Sequence, residues 1–270
     1  MTGQPAEGGG QRRGFGVAAG LDPAVATSLA ARCEELGYSS IWSNDHPGAQ
    51  GLDTAAAFAE GSAELELGVA VMALDRHRPA EINSRIDQLG LERERLWIGL
   101  GAGFSTKPLT TMREALPELR QAIPGARLVL AAMGPKMCAL AGAGFDGAFF
   151  NWMLPEFAAR AREQVHAGAR EAGRKPPPAF GYVRTAVGDD AAQRLAKEES
   201  FYRNLHEGYR SHFERLGEPP GTVGVAAADR AGADAELSRY EALDVVVVRG
   251  LASATLEGLG AVAEAAAPAQ

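Results

Sequence analysis

The chain has 270 residues, 46% apolar and 23% charged, enough to bury a sizeable core without disulfide or metal staples. Its 33 glycines and 15 prolines follow no period, which excludes collagen-like and low-complexity chains. The 27 basic against 34 acidic residues leave a net charge of −7, which argues against a general binder of nucleic acid or anionic membrane.

Residues 1–13 are glycine-rich and polar, without the apolar core of a signal peptide. They are expected to form a disordered leader before a single domain over 14–265. A first strand is predicted over 14–19. Asp22-Pro23 then places an N-cap before a proline at the first helical position. Val25, Leu29, Cys33 and Leu36 follow at helical spacing and Gly37 supplies the stop, so Cys33 reads as a small buried apolar residue. Strands are predicted over 39–44 and 66–73. Pro79 opens a helix with Ile82, Ile86 and Leu89, closed by Gly90. After a strand over 95–100, residues 102–126 hold one short helix, Leu109 to Gln121.

Strands over 127–132 and 145–150 precede a helix from Pro155 to Gly173 with Phe157, Ala161, Val165 and Ala169 on one face. A strand over 179–187 leads into residues 188–242, too long for a plain loop. That stretch holds a charged helix, Asp190 to Asn204, and the aromatics Tyr202, Tyr209 and Phe213. An elaborated outer crossover, a lid and a dimer surface are all open readings of it. The last strand, 243–248, is almost continuously apolar, as a strand covered on both faces should be. Ser253 can cap a final helix with Leu256, Leu259 and Val262.

Eight strands alternating with helices fit a (β/α)8 TIM barrel. A doubly wound open sheet is the alternative, but Ala18-Ala19-Gly20-Leu21-Asp22-Pro23 lacks the glycine fingerprint expected after its first strand. Cys33 and Cys138 form no CxxC pair and no apolar run reaches the roughly 18 residues of a membrane span, which points to a cytoplasmic protein.

In such barrels the chemistry gathers where the strands end. Strand two ends in Asn44-Asp45-His46, a titratable pair in which His46 can exchange a proton near neutrality; alternatively Asp45 caps the loop and His46 packs on the rim. After strand three, Arg76-His77-Arg78 can hold an anionic substrate group or form a solvated loop. Gly99-Leu100-Gly101-Ala102-Gly103 after strand four lets a flat ring approach the backbone, although tight turns use glycine too. Met133-Gly134-Pro135-Lys136 after strand five offers helix-start amides and a lysine to a phosphate, or is an ordinary turn. Asn151-Trp152 after strand six can line a ring pocket or seal the mouth. Arg184, inside strand seven, must be paired, either in a structural ion pair, the preferred reading, or with a ligand, and Arg249 past strand eight is the better ligand contact. No HExxH, nucleophile elbow, Walker loop or clustered metal ligands occur, so cofactor-carried chemistry without a metal is the remaining enzymatic reading.

The run from Ala31 to His46, ARCEELGYSSIWSNDH, resembles the early signature of the bacterial luciferase-like family. Leu67-Gly68-Val69-Ala70-Val71, Arg76-His77-Arg78-Pro79-Ala80, Leu96-Trp97-Ile98-Gly99-Leu100-Gly101-Ala102-Gly103, Met133-Gly134-Pro135-Lys136 and Ala143-Gly144-Phe145-Asp146-Gly147 agree in order. The resemblance spans roughly residues 14–250. It implies a barrel that holds a flavin or deazaflavin ring, with the ribityl phosphate near strands five and six. By this resemblance Gly134-Pro135-Lys136 matches the phosphate loop, and Gly101 and Gly103 match the backbone beside the ring. His46 matches a strand-two histidine near the reacting carbon, and Met72 falls at a peptide bulge behind the ring. Ala102 replaces an acidic proton donor of the sugar-phosphate dehydrogenase branch, so that chemistry is not expected. The short connection after strand four implies an open mouth that admits a large substrate such as a peptide or polyketide.

The leading expectation is an oxidoreductase dependent on coenzyme F420, with His46 as proton donor oriented by Asp45, and with Arg76, His77 and Arg249 on the substrate. An FMN-dependent monooxygenase and a non-catalytic barrel are the alternatives. The resemblance also implies a homodimer.

Overall fold

A computed structural model of the chain describes residues 11–269. Nine strands form one sheet: β1 Arg12–Val17, β2 Ser40–Ser43, β3 Glu66–Ala73, β4 Leu96–Gly101, β5 Arg127–Ala131, β6 Gly147–Asn151, β7 Ala179–Val187, β8 Val225–Ala227 and β9 Val245–Gly250. All neighbours are parallel, and β9 pairs with both β7 and β1 while β6 pairs with β7. Eight strands therefore close into a TIM barrel. The short β8 lies on the side of β7 opposite β9, pairing with Thr185–Val187 beyond the stretch of β7 that pairs with β6.

The helices α1 Pro23–Glu35, α2 Gly51–Gly61, α3 Pro79–Gln88, α4 Pro108–Ala122, α5 Pro135–Gly144, α6 Pro155–Glu171 and α10 Leu256–Ala265 follow barrel strands. Local chemistry sets their ends. Asp22 Oδ1 accepts from the amides of Ala24 and Val25, Pro23 opens α1, and Gly37 leaves it with φ 81°. Cys33 is buried on the inner face of α1. The last helix is capped by Thr255, whose hydroxyl accepts from Gly258 N–H, rather than by Ser253, which instead bonds the Thr255 hydroxyl. Residues 188–242 hold α7 Ala191–Leu205, α8 Glu207–Leu216, β8 and α9 Arg230–Ser238.

The expected leader lies, for residues 1–10, outside the described residues. Arg12 and Arg13 already belong to β1, because Arg13 is buried, donates to the carbonyls of Ala266 and Ala267 and pairs with Asp234. No described helix is long and apolar enough to cross a membrane.

Inside the barrel, period-two alternation brings Trp42, Trp97, Val129, Phe149, Phe180, Tyr182, Val245 and Val247 together. The Trp42 ring lies 4.9 Å from Phe149 and 5.2 Å from Phe180, so aromatic packing fills the lower barrel. What remains accessible lies above this plug, at the carboxyl ends of the strands.

Candidate functional site at the carboxyl rim

One wall of the mouth is built from small residues. In β3 the ladder to β4 shifts register between Val69 and Met72, leaving Ala70 and Val71 as the extra turn of chain, with the peptide between them cis. Both Ala70 and Val71 therefore pack with the barrel interior, while Met72 turns outward into the core beneath the helices. The bulge expected near Met72 is present, but the residue it presents to the mouth is Val71. Beside it, Gly101 and Ala131 are half-buried at the ends of β4 and β5.

The rim glycines have reasons internal to the protein. A Cβ at Gly101 would stand 2.8 Å from Val71 Cγ1, and one at Gly103 would stand 2.0 Å from an Asp75 carboxylate oxygen. Asp75 also accepts from Phe104 N–H, tying the β3 and β4 loops together. Gly103 has φ 59°, a left-handed conformation that disfavours other residues. Ala102 is buried beneath this loop.

The opposite wall is polar and aromatic. Asn151 accepts from Arg184 through Oδ1 and donates to the Tyr209 hydroxyl at 3.2 Å. Trp152 is buried at the end of β6 and is the only non-glycine residue of positive φ among the described residues, at 54°. Such a conformation in a bulky residue persists only where its surroundings hold it. The holding contact comes from α8, where His212 Nε2 donates to the Trp152 carbonyl at 2.7 Å. Burial keeps the His212 imidazole below its ordinary pKa, against the raising effect of that bond. Burial likewise raises the phenols of Tyr182 and Tyr209.

The helical arm α7–α8 lies over this side of the mouth. The ring of Tyr202 from α7 lies 5.2 Å from Trp152, and Phe213 from α8 is at the same distance. From the far side, Phe104 on the β4 loop reaches His206 at the α7–α8 junction, with ring centroids 5.1 Å apart. The open mouth expected from the short β4–β5 connection is therefore corrected: the elaborated connection supplies a cover, and the β4 loop meets it.

The expected catalytic pair is also rearranged. Asp45 has a fully buried side chain, but its partners are Arg76 Nη2 at 2.6 Å, His77 Nε2 at 2.7 Å and Gly51 N–H at 3.0 Å. It does not orient His46, whose Nδ1 accepts from Gly48 N–H at 3.1 Å. The reason is positional: β2 and β3 are neighbours, so the loop after β3 meets the Asp45 side chain, while the Pro47-Gly48 turn folds the next residue onto itself. Arg76 and His77, expected on a substrate, are thus held by Asp45. His46 is half-buried on the rim, and its bond from Gly48 leaves the proton of the neutral ring on Nε2.

At the start of α5, Gly134 faces open space and Pro135 opens the helix, so the amides of Gly134 and Lys136 have no helical acceptor. Met133 and Gly134 are half-buried. The Lys136 residue is exposed and lines an outer groove beside Leu109, Arg113 and Glu171, so any anion cradle here is made by backbone amides. Arg249 lies buried near Tyr182 and Arg184, with one donor spent on the Gly250 carbonyl. Three polar atoms around this wall, Trp152 Nε1, Tyr182 Oη and Arg184 Nε, are buried without a partner. Such atoms are rare in a finished core and are the feature that a bound polar molecule would satisfy. Sequence reasoning missed Tyr202, Tyr209 and His212 as parts of the site; only the aromatic spacing in 188–242 pointed towards the first two.

A family model described as luciferase-like monooxygenase matches residues 106–264. The 5,10-methylenetetrahydromethanopterin reductase of Methanolobus tindarius is 26% identical over 197 residues, which is 59% of this chain and 60% of that relative's length. Among solved structures, an F420-dependent secondary alcohol dehydrogenase in complex with an F420–acetone adduct superposes with TM-score 0.74 at 17% identity, covering 95% of this chain and 99% of the other. The oxygenating constituent of 3,6-diketocamphane monooxygenase from Pseudomonas putida, in complex with FMN, superposes with TM-score 0.66 at 15% identity, covering 97% and 100%. At these identities the structural likenesses show the barrel fold.

Proposed function

Because this chain belongs to the luciferase-like monooxygenase family, we propose that it is an oxidoreductase that binds coenzyme F420 and acts on an organic substrate in the barrel mouth. The observation that carries the reading is the asymmetry of the rim: a smooth shelf of Val71, Gly101 and Ala131 faces a wall where Trp152 Nε1 and Tyr182 Oη lack partners. A planar ring with polar edges has the chemistry to satisfy both. The residues that would hold it are the shelf, Met133, the amides of Gly134 and Lys136 towards a phosphate, and Trp152. When bound, a deazaflavin supplies two-electron hydride chemistry. The sequence relative's name as a reductase is consistent with that direction of use.

In this reading the chain's own task is orientation and proton handling. His46 offers Nε2–H to a substrate oxygen, hydrogen-bonding and polarising it. Asp45 acts at one remove: by gathering Arg76, His77 and Gly51 N–H it fixes the β2 and β3 loops that carry the rim. The α7–α8 arm and Phe104 limit the access of water.

Fluorescence titration with coenzyme F420 and with FMN tests the proposal. Micromolar binding of F420 is expected; binding of FMN alone would replace it with the flavin monooxygenase reading, and binding of neither with a non-catalytic barrel. His46→Ala should lower kcat by about 100-fold while leaving cofactor affinity within about twofold; an unchanged kcat would remove His46 from the reaction.

A further inference from the structure

Arg184 and Arg249 are direct partners across the parallel pairing of β7 and β9. Neighbouring parallel strands lie about 4.8 Å apart, and side chains at paired positions leave the sheet on the same side. Two guanidinium groups thus enter the barrel mouth next to one another. Both are buried, Arg184 to 2% and Arg249 to 8% exposure, and neither makes an ion pair among the described residues.

The groups that touch them are neutral. Arg184 donates to Asn151 Oδ1, and its guanidinium carbon lies 4.1 Å from the centre of the Trp152 ring and 4.9 Å from that of Tyr202. Arg249 donates to the Gly250 carbonyl at 3.0 Å. Arg184 Nε has no partner at all. Burial depresses the pKa of Arg249, and the charge of Arg184 depresses it further, against a raising effect from Glu198, which forms no ion pair with either arginine. Buried charge without a counter-charge is costly, and two like charges side by side cost more. The one other arginine buried to this degree among the described residues, Arg13, has a carboxylate partner in Asp234. A chain of net charge −7 also has no general basic surface of which this pair would be an incidental part.

We infer that Arg184 and Arg249 form the seat of an oxyanion, a carboxylate or phosphate carried by the substrate, so that this protein acts on an anionic organic molecule. The fork geometry of guanidinium suits such a group, and cation–π contacts with Trp152 and Tyr202 hold one fork in place for it. The position separates it from the helix-start amides at Gly134, which follow β5; β7 and β9 lie two and three strands further round the barrel. The small shelf on β3–β5 and the arginine pair thus face each other across the mouth, one wall for a ring and one for a charged tail. This assignment rests on the proposed function for the word substrate, but the anion site itself does not.

The test uses the full chain without cofactor and inorganic phosphate as the probe, at constant ionic strength set with chloride. Because Trp152 packs on Arg184, its fluorescence reports occupancy. Saturable binding at millimolar phosphate is expected, and Arg249→Gln and Arg184→Gln should each weaken it by at least tenfold. Arg249→Lys, which retains the charge and so guards against loss of fold, should weaken it by a smaller factor. Absence of saturable binding to the wild type, or equal affinity in the folded variants, overturns the proposal. Saturating phosphate should leave the affinities for F420 and FMN unchanged; competition with either would move the pair to the cofactor's phosphate and overturn the substrate assignment. Cofactor binding without phosphate binding sinks this inference alone, whereas phosphate binding without cofactor binding sinks only the proposed function.

Discussion

The Asp45 cluster makes a prediction that separates the observed network from the adjacent-pair reading. Asp45→Ala removes an acceptor used by Arg76 Nη2, His77 Nε2 and Gly51 N–H. Hydrogen bonds to a charged group contribute about 1.5–3 kcal/mol each. Arg76 and His77 side chains are 28% and 20% exposed and regain part of their hydration, so the lower end applies to both. Adding about 1 kcal/mol for the orphaned Gly51 amide gives a loss of about 4 kcal/mol. For a chain of this size that corresponds to a fall in Tm of roughly 8–16 °C. Urea unfolding and calorimetry measure it, and a double-mutant cycle locates it. Coupling between Asp45→Ala and His77→Ala should be about 1.5 kcal/mol, and coupling between Asp45→Ala and His46→Ala about zero. A destabilisation under about 1 kcal/mol, or coupling that runs to His46 instead, would refute the argument.

Two further outcomes follow from other contacts. His212 is neutral in the folded protein because burial depresses its pKa below the ordinary 6.5, so the unfolded chain takes up a proton first as pH falls. The stability associated with neutral His212 is complete above about pH 6.5 and is lost as pH drops towards the folded value; Tm measured from about pH 7.5 to 5 should fall more steeply in the wild type than in His212→Gln, and parallel slopes would contradict this. Between α5 and α6, a Cβ on Gly142 would stand 1.9 Å from the Val165 carbonyl oxygen, with backbone on both sides. Gly142→Ala should therefore cost about 3 kcal/mol in urea unfolding, and a cost below about 0.5 kcal/mol would show that the helices slide apart freely.

Much of the barrel was legible because its signals are local. Asp22-Pro23, Pro79, Gly90 and Gly37 mark helix ends through side-chain and backbone chemistry that needs no distant partner. The apolar run in β9 marks a strand by burial on both sheet faces. All eight barrel strands could be placed from such patterns, with ends differing by a residue or two.

The pairing of side chains across the rim was not legible. Adjacency in the chain made Asp45 and His46 look like partners, but successive residues at a strand end point in different directions, and the neighbouring strand brings Arg76 and His77 to the carboxylate instead. For the same reason the lateral pairing of Arg184 with Arg249, 65 positions apart, and the clamp of His212 on Trp152 exist only once the sheet has closed. Local propensity and period thus determined the units and their order, because each is a property of a few consecutive residues. Which polar groups meet at the mouth was decided by strand register and by the docking of the α7–α8 arm, because those fix distances between segments that the chain alone leaves free.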